Sequence, residues 1–314
     1  MKTRRIGRLE VAVVGLGTNN FGSSMSADEV GSVVGAAMEE GINLFDTSDS
    51  YGESEERLAR ALRSRRDEVV IATKFGDPVG GEKGTGGASP DYVRRALEAS
   101  LRRLATDRID LYQIHRPDPQ TPIGDTMTAL DEAVRAGKVR EIGCSNFSAT
   151  QLREAHMAAG AGVRLVSVQN HYNMFHRADE AEVLPLCLEL GLAYLPYFPL
   201  ASGLLTGKYR RGEAPPDGTR LQRWGNDRYD ALRDLARGLQ SEENFQKVDA
   251  LTAWARERDH TILDLAFAWL LSNSVVASVI AGATKVDQVR ANAGAGNWRL
   301  TPEEVDDVTS LLDD

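Results

Sequence analysis

Residues 11–45 read VAVVGLGTNNFGSSMSADEVGSVVGAAMEEGINLF and contain one complete strand–helix–strand unit. The run at 11–14 is short, apolar and β-branched, as a strand buried on both faces is. The period then changes, because Val30, Val33, Val34, Ala37 and Met38 fall on one face of a 3.6-residue helix. A second apolar run follows at 42–45. The unit recurs down the chain. Further runs at 69–72, 109–114, 139–144, 165–168, 192–197 and 276–280 bring the number to eight. Two more stripes repeat the helical spacing: Val93, Ala96, Leu97, Leu101 and Leu104, then Ile262, Leu265, Ala266, Trp269 and Leu270. Start signals agree with them. Ser89-Pro90 is a cap followed by proline at the first helical position, and Thr301-Pro302-Glu303-Glu304 carries a capping-box carboxylate.

Eight strands alternating with helices specify an α/β fold, a closed parallel (β/α)8 TIM barrel, expected as one domain over residues 1–314 with an N-terminal segment. Long loops are expected after the third and seventh strands. One spans 76–90, with six glycines between Gly76 and Gly87; the other is the polar, charged stretch 199–260. Both fall on the barrel face where active sites are built. An open doubly wound sheet would need an early phosphate fingerprint. In Gly15-Leu16-Gly17-Thr18-Asn19-Asn20, Asn stands where the third glycine is required, and neither Gly137-Lys138-Val139 nor Gly207-Lys208-Tyr209 completes a Walker A motif.

Composition narrows the function. The chain has 37 Lys+Arg against 46 Asp+Glu, a formal net charge of −9, which argues against nucleic acid or an anionic membrane as partner. Its two cysteines, Cys144 and Cys187, form no CxxC knuckle and no disulfide framework. With no apolar segment resembling a signal peptide and no 18-residue uncharged run, the expectation is a cytoplasmic protein, read as a monomer. The histidines His156, His171, His176 and His260 lack metal-ligand spacing, so they read as surface or loop residues and no metal is expected.

Chemistry concentrates just after the apolar runs. The second is followed by Phe45-Asp46-Thr47-Ser48-Asp49-Ser50-Tyr51-Gly52-Glu53-Ser54-Glu55, the third by Thr73-Lys74-Phe75-Gly76, the fourth by His115-Arg116-Pro117. A barrel brings Asp46, Lys74 and His115 to one rim, with Tyr51 on the adjoining loop. In order and spacing these segments resemble the aldo-keto reductase family, across nearly the whole chain. The resemblance implies NADPH-dependent reduction of an aldehyde, ketone or keto-sugar, with a small carbonyl compound as the only partner. It makes Tyr51 the general acid, Lys74 and Asp46 its electrostatic partners, and His115 the group that orients the carbonyl. Elementary chemistry agrees, since the reduced oxygen gains negative charge and needs a proton. A phenol with a pKa of about 10 is a weak acid, and an adjacent ammonium is expected to lower that value.

The same resemblance supplies a cofactor site. It assigns Ser145, Asn146 and Gln169 to the nicotinamide carboxamide and Tyr197 to stacking on the ring; Phe198 departs from the family's small polar residue there. Leu200, Ser202, Gly203, Leu204 and Lys208 are assigned to the pyrophosphate, and Gly17, Thr18 and Asn19 to the cofactor more generally. Gly282, Thr284, Lys285, Gln288 and Asn292 match the adenosine-phosphate segment. Lys285 with Thr284 is the candidate for a 2′-phosphate, which favours NADP; for Arg290 a solvated helix face is the competing reading. The substrate pocket is expected to be shaped by the 76–90 loop, Phe21, His171 and Trp224, the last as a lid anchor or as packing within the insertion. Two alternatives belong to other classes: an NADP(H)-binding regulatory subunit of the same family, like the potassium-channel β subunits, and a metal-dependent isomerase barrel, whose ligand set is missing.

Overall fold

The computed structural model describes residues 1–80, 85–227 and 229–313, so residues 81–84 of the expected 76–90 loop lie outside the described residues. The chain opens with an antiparallel hairpin of β1 (Thr3–Ile6) and β2 (Leu9–Ala12). Eight parallel strands follow: β3 (Val14–Gly17), β4 (Leu44–Asp46), β5 (Val70–Phe75), β6 (Ile109–Ile114), β7 (Val139–Ser145), β8 (Leu165–His171), β9 (Ala193–Tyr197) and β10 (Val279–Gly282). They pair in the order β10-β3-β4-β5-β6-β7-β8-β9. The circle closes where the Tyr194 N–H donates to Val275 O at 2.7 Å and the Ala277 N–H donates back to Tyr194 O at 3.0 Å. The expected (β/α)8 barrel is therefore the fold.

Two runs read from the sequence are divided. The one at 11–14 ends the hairpin with its first half, and the barrel strand starts at Val14. The one at 276–280 bridges Tyr194 through Val276 before β10 begins at Val279. An apolar string carries no break where two elements bury it continuously, and here they do. Ile6, Leu9 and Val11 of the hairpin pack with Leu44, Val70, Leu111 and Leu195 in one buried cluster, so the hairpin plugs the bottom of the barrel. Gly7, at φ +55, makes the turn where a Cβ would meet Glu141 Oε1 at 2.8 Å.

The helical stripes become helices with the expected caps. In Ala27–Glu39 the Ser26 and Glu29 side chains cap reciprocally, and Ser89 accepts the Tyr92 N–H at the start of Pro90–Arg103. At Pro302–Asp313 the Thr301 N–H donates to Glu304 Oε2 at 2.9 Å. The stretch 199–260 is more ordered than a polar loop. It forms helices Arg220–Gly225, Asp230–Leu239 and Glu242–Arg256, the last burying Phe245, Val248, Leu251 and Ala255. Their spacing of three, three and four residues is a helical period, set in a stretch whose charged composition otherwise resembles a loop.

If the hairpin plug carries part of the core, truncating it costs what a buried leucine costs. Leu9→Ala should lower unfolding free energy by about 2–5 kcal/mol in urea denaturation, with the slope unchanged.

Candidate active site

Strand register builds the rim. Asp46 ends β4 opposite Ala72, Lys74 lies opposite Gln113, and Ser145 lies opposite Gln169. These side chains converge at the C-terminal end of the barrel. Lys74 is 1% exposed, and its Nζ donates to Asp46 Oδ2 at 2.6 Å and to Thr47 O at 2.9 Å. An ammonium has three protons to give. The third direction is toward Tyr51, whose ring centroid lies 5.1 Å away. Burial works against the charge of Lys74, but Asp46 and Tyr51 outweigh it and the net shift of its pKa is upward. Asp46 is itself fixed, because its Oδ1 accepts from Gln169 Nε2 at 2.8 Å and from Gln113 Nε2 at 3.3 Å.

Tyr51 sits on the loop after β4, pressed against the loop after β3. A Cβ at Gly22 would fall 1.7 Å from Tyr51 O, so only glycine permits that approach. The expected depression of the phenol pKa is not the net result. Burial is the largest influence and raises it, Lys74 pulls it back, and Asp46 adds to the rise. The phenol therefore holds its proton. His115 packs edge-on to it, with ring centroids 5.8 Å apart. Burial first, then Lys74 and Arg116, drive the His115 pKa down to about 3, so the ring is neutral. Its Nδ1 lies 3.1 Å from Ser48 Oγ and 3.3 Å from Asp77 Oδ2.

A cavity of about 790 Å³ runs from this cluster across the rim to β10. Its size suits a dinucleotide-scale ligand with room for a small substrate. Gly17, Thr18, Asn19, Ser145, Asn146, Gln169, Tyr197, Leu200, Ser202, Gly203, Lys208, Gly282, Thr284, Lys285, Gln288 and Asn292 line it, together with Asp46, Tyr51 and His115. Leu204 does not; at 1% exposure its side chain packs into the hydrophobic core beneath the turn Ala201–Thr206. Several assigned polar groups are already engaged. Gln169 gives its amide N–H to Asp46, Ser145 Oγ donates to Gln169 O at 2.7 Å, and Tyr197 OH donates to Asn146 Oδ1 at 2.8 Å. Gln288 Oε1 accepts the Thr284 N–H at 2.8 Å, which shapes the turn before helix Val286–Ala295. Arg290 lies 3.8 Å from Glu40, in keeping with the helix-face reading.

Some residues escaped the sequence. Arg220 and Arg223, from the 199–260 stretch, line the same cavity as Lys208. None of the three has an ion pair among the described residues. Burial first, then neighbouring cations, lowers the pKa of both Lys208 and Arg220. Three cations that no carboxylate pairs, although Asp217 lines the same cavity, form a place for a polyanion. Only their position in a folded insertion reveals this, since in sequence they resemble any charged loop. His171 and His176 are not bland loop residues either. Their rings stack 3.9 Å apart, and His171 in turn stacks on Tyr197 at 5.4 Å, bracing that ring from behind. Phe21 is fully buried and shapes no pocket wall, while Trp224 packs edge-on to Phe198 and under Arg220, as an anchor for that segment. Among the described residues no cluster suited to a metal occurs, and no helix is long and apolar enough to cross a membrane.

A parallel eight-stranded barrel with its polar cluster at the C-terminal rim defines a (β/α)8 protein whose candidate site lies on the face where such barrels carry active sites. Within that class the chain matches the Aldo/keto reductase family over residues 13–313, and it belongs to that family. It is 34% identical over 330 residues to a probable voltage-gated potassium channel subunit beta of Arabidopsis thaliana, covering 99% of this chain and 97% of the relative. It is 31% identical over 319 residues to an L-glyceraldehyde 3-phosphate reductase of Escherichia coli O157:H7, covering 98% and 90%. To aldo-keto reductase str7 of Strobilurus tenacellus the identity is 32% over 331 residues, covering 100% and 93%.

A neutral, buried His115 has a consequence for stability. Its folded pKa of about 3 lies below the unfolded value, so the fold loses stability as pH falls from about 6.5 toward 3. His115→Gln cannot take up that proton. In urea titrations at about pH 7 and pH 4, the variant should lose less stability on acidification than the parent.

Proposed function

We propose that the protein reduces a small carbonyl compound, an aldehyde, ketone or keto-sugar, with NADPH. The observation that carries this reading is the buried Lys74–Asp46 pair beneath a Tyr51 phenol that keeps its proton, at the floor of a cavity whose far end is cationic. Lys208, Arg220 and Arg223 suit the cofactor pyrophosphate, and exposed Lys285 with half-buried Thr284, at the start of a helix, suits a 2′-phosphate. When bound, NADPH supplies the hydride.

The chain's own groups do the rest. Tyr51 donates its phenolic proton to the oxygen as negative charge develops there. Lys74, held charged by Asp46, compensates the phenolate left behind, so the acid weakens less than burial alone would dictate. Gln169 and Gln113 fix Asp46, which keeps the ammonium aimed at Tyr51. His115, neutral, acts as a hydrogen-bonding group and not as an acid. The Tyr197 ring, braced by His171 and His176, forms a flat wall for a stacked ring.

The test is a panel of carbonyl substrates followed by NADPH and NADH oxidation in parallel. Tyr51→Phe should reduce turnover by at least about 100-fold while leaving the NADPH Kd from fluorescence quenching unchanged. Undiminished turnover by that variant would overturn the mechanism. Arg220→Ala should weaken NADPH binding roughly tenfold, as loss of a charge-assisted contact does.

The likeness to a potassium channel β subunit supports a second reading, a cofactor-binding regulatory subunit. Tight NADPH binding, negligible turnover across the whole panel and co-purification with a stoichiometric partner would favour it.

A further inference from the structure

Two polar side chains beside the reacting cluster have no part in the proposed reaction. Ser48 is fully buried and Asp49 is 3% exposed. Among the described residues the Asp49 carboxyl has one hydrogen-bond partner, Ser48 Oγ, 3.3 Å from Oδ1; its Oδ2 is buried with none. Ser48 Oγ in turn lies 3.1 Å from His115 Nδ1 and accepts the Ser50 N–H, with Ser50 Oγ at 3.0 Å. A continuous path thus runs from an orphaned carboxyl, through one hydroxyl, to the histidine ring.

A hydroxyl has a single proton to give. A neutral imidazole carries one N–H, and the hydrogen bond at one nitrogen decides where it sits. Nδ1 has a second neighbour, Asp77 Oδ2 at 3.3 Å, a carboxylate whose Oδ1 accepts from Arg116 Nε at 2.9 Å. Ser48 as donor and Asp77 as acceptor therefore compete for the same ring atom.

We propose that Asp49, acting through Ser48, sets which nitrogen of His115 carries the proton, and so whether the ring can donate to a carbonyl. The functional consequence rests on the carbonyl-reductase reading above; the tautomer itself does not. With Asp49 neutral, its O–H donates to Ser48 Oγ, and the Ser48 hydroxyl donates to Nδ1. The ring proton then sits on Nε2, the nitrogen left to the cavity. With Asp49 ionised, Ser48 turns its proton to the carboxylate, Nδ1 takes a proton and gives it to Asp77, and Nε2 becomes an acceptor. One proton leaves Asp49 for solvent, the ring exchanges one proton for another, and no electrons move.

The surroundings place this switch near neutrality. Burial, the largest influence, raises the Asp49 pKa to about 7; Glu55 on helix Ser54–Leu62 and Asp77 raise it too, while Arg103 on helix Pro90–Arg103 and the Ser48 hydrogen bond lower it. Tyr92 of that helix and Tyr112 of β6 also face Asp49, and Lys74 and Arg116 face the ring. The donor form is present below that pKa and is lost as pH rises through it.

Side-chain ¹⁵N spectra of histidine-labelled, NADPH-saturated protein test this between about pH 5.5 and 8.5, with His115→Gln providing the assignment. In the parent, the His115 proton should pass from Nε2 to Nδ1 through about pH 7. Asp49→Asn offers an amide N–H to Ser48 at every pH and should keep Nε2 protonated throughout; Ser48→Ala should abolish the pH dependence by cutting the path. With a carbonyl substrate, the parent kcat should fall roughly fivefold or more from pH 6 to 8, and that of Asp49→Asn should stay level. A His115 titration unchanged in both variants overturns the proposal. If the spectra switch as expected but Tyr51→Phe keeps full turnover, the coupling stands and the reductase reading fails. If Tyr51→Phe is inactive and the spectra do not switch, the coupling alone fails.

Discussion

An ammonium and a carboxylate 2.6 Å apart, both removed from water, sit where β4 and β5 end. Burying either charge alone is prohibitive, so each requires the other. That requirement reaches outward. Asp46 must leave β4 in register with Ala72, and two glutamines from β6 and β8 must bond its second oxygen. The pair thereby ties four strands of the barrel to one point, and Tyr51 is placed by the direction the ammonium has left to give.

Burial also decides protonation at this rim, against what neighbouring charges alone suggest. A phenol beside an ammonium would ordinarily titrate more easily, yet desolvation leaves Tyr51 protonated. A histidine close to a carboxylate would ordinarily gain charge, yet His115 stays neutral. On the proposed reading both outcomes serve the chemistry, since one group must give a proton and the other only a hydrogen bond. The net charge of −9 describes the solvent-facing shell. Within the cavity the balance is reversed at one end, where Lys208, Arg220 and Arg223 meet with no ion-paired carboxylate among the described residues.

Much of this was legible before any folding was considered. Parallel strands buried on both faces must be apolar throughout, so the eight runs announce a barrel. Side chains at the ends of such strands converge, which is why Asp46, Lys74 and His115 could be placed together with Tyr51. What escaped lies where apolar patterning is silent. The hairpin plug blends into the first strand because Val11 and Val14 are both buried, in different clusters, so the apolar string shows no break between the two elements. Arg220 and Arg223 belong to a short helix that buries only Leu221, and Leu204 looked like its neighbours until the turn directed it inward. The His171–His176 stack joins residues whose spacing fits no helix face; a turn after β8 brings the rings together.

The sequence by itself determined the barrel, the rim on which its chemistry gathers, and the identity of the groups that meet there, because periodicity and strand-end position are local properties of the chain. Only the tertiary structure decided what state those groups are in. Whether Tyr51 is an acid or an anion, whether His115 is charged, and whether Asp49 is merely buried or coupled to that ring depend on desolvation and on neighbours from other strands, loops and helices. Those quantities come into being when the barrel closes and excludes water.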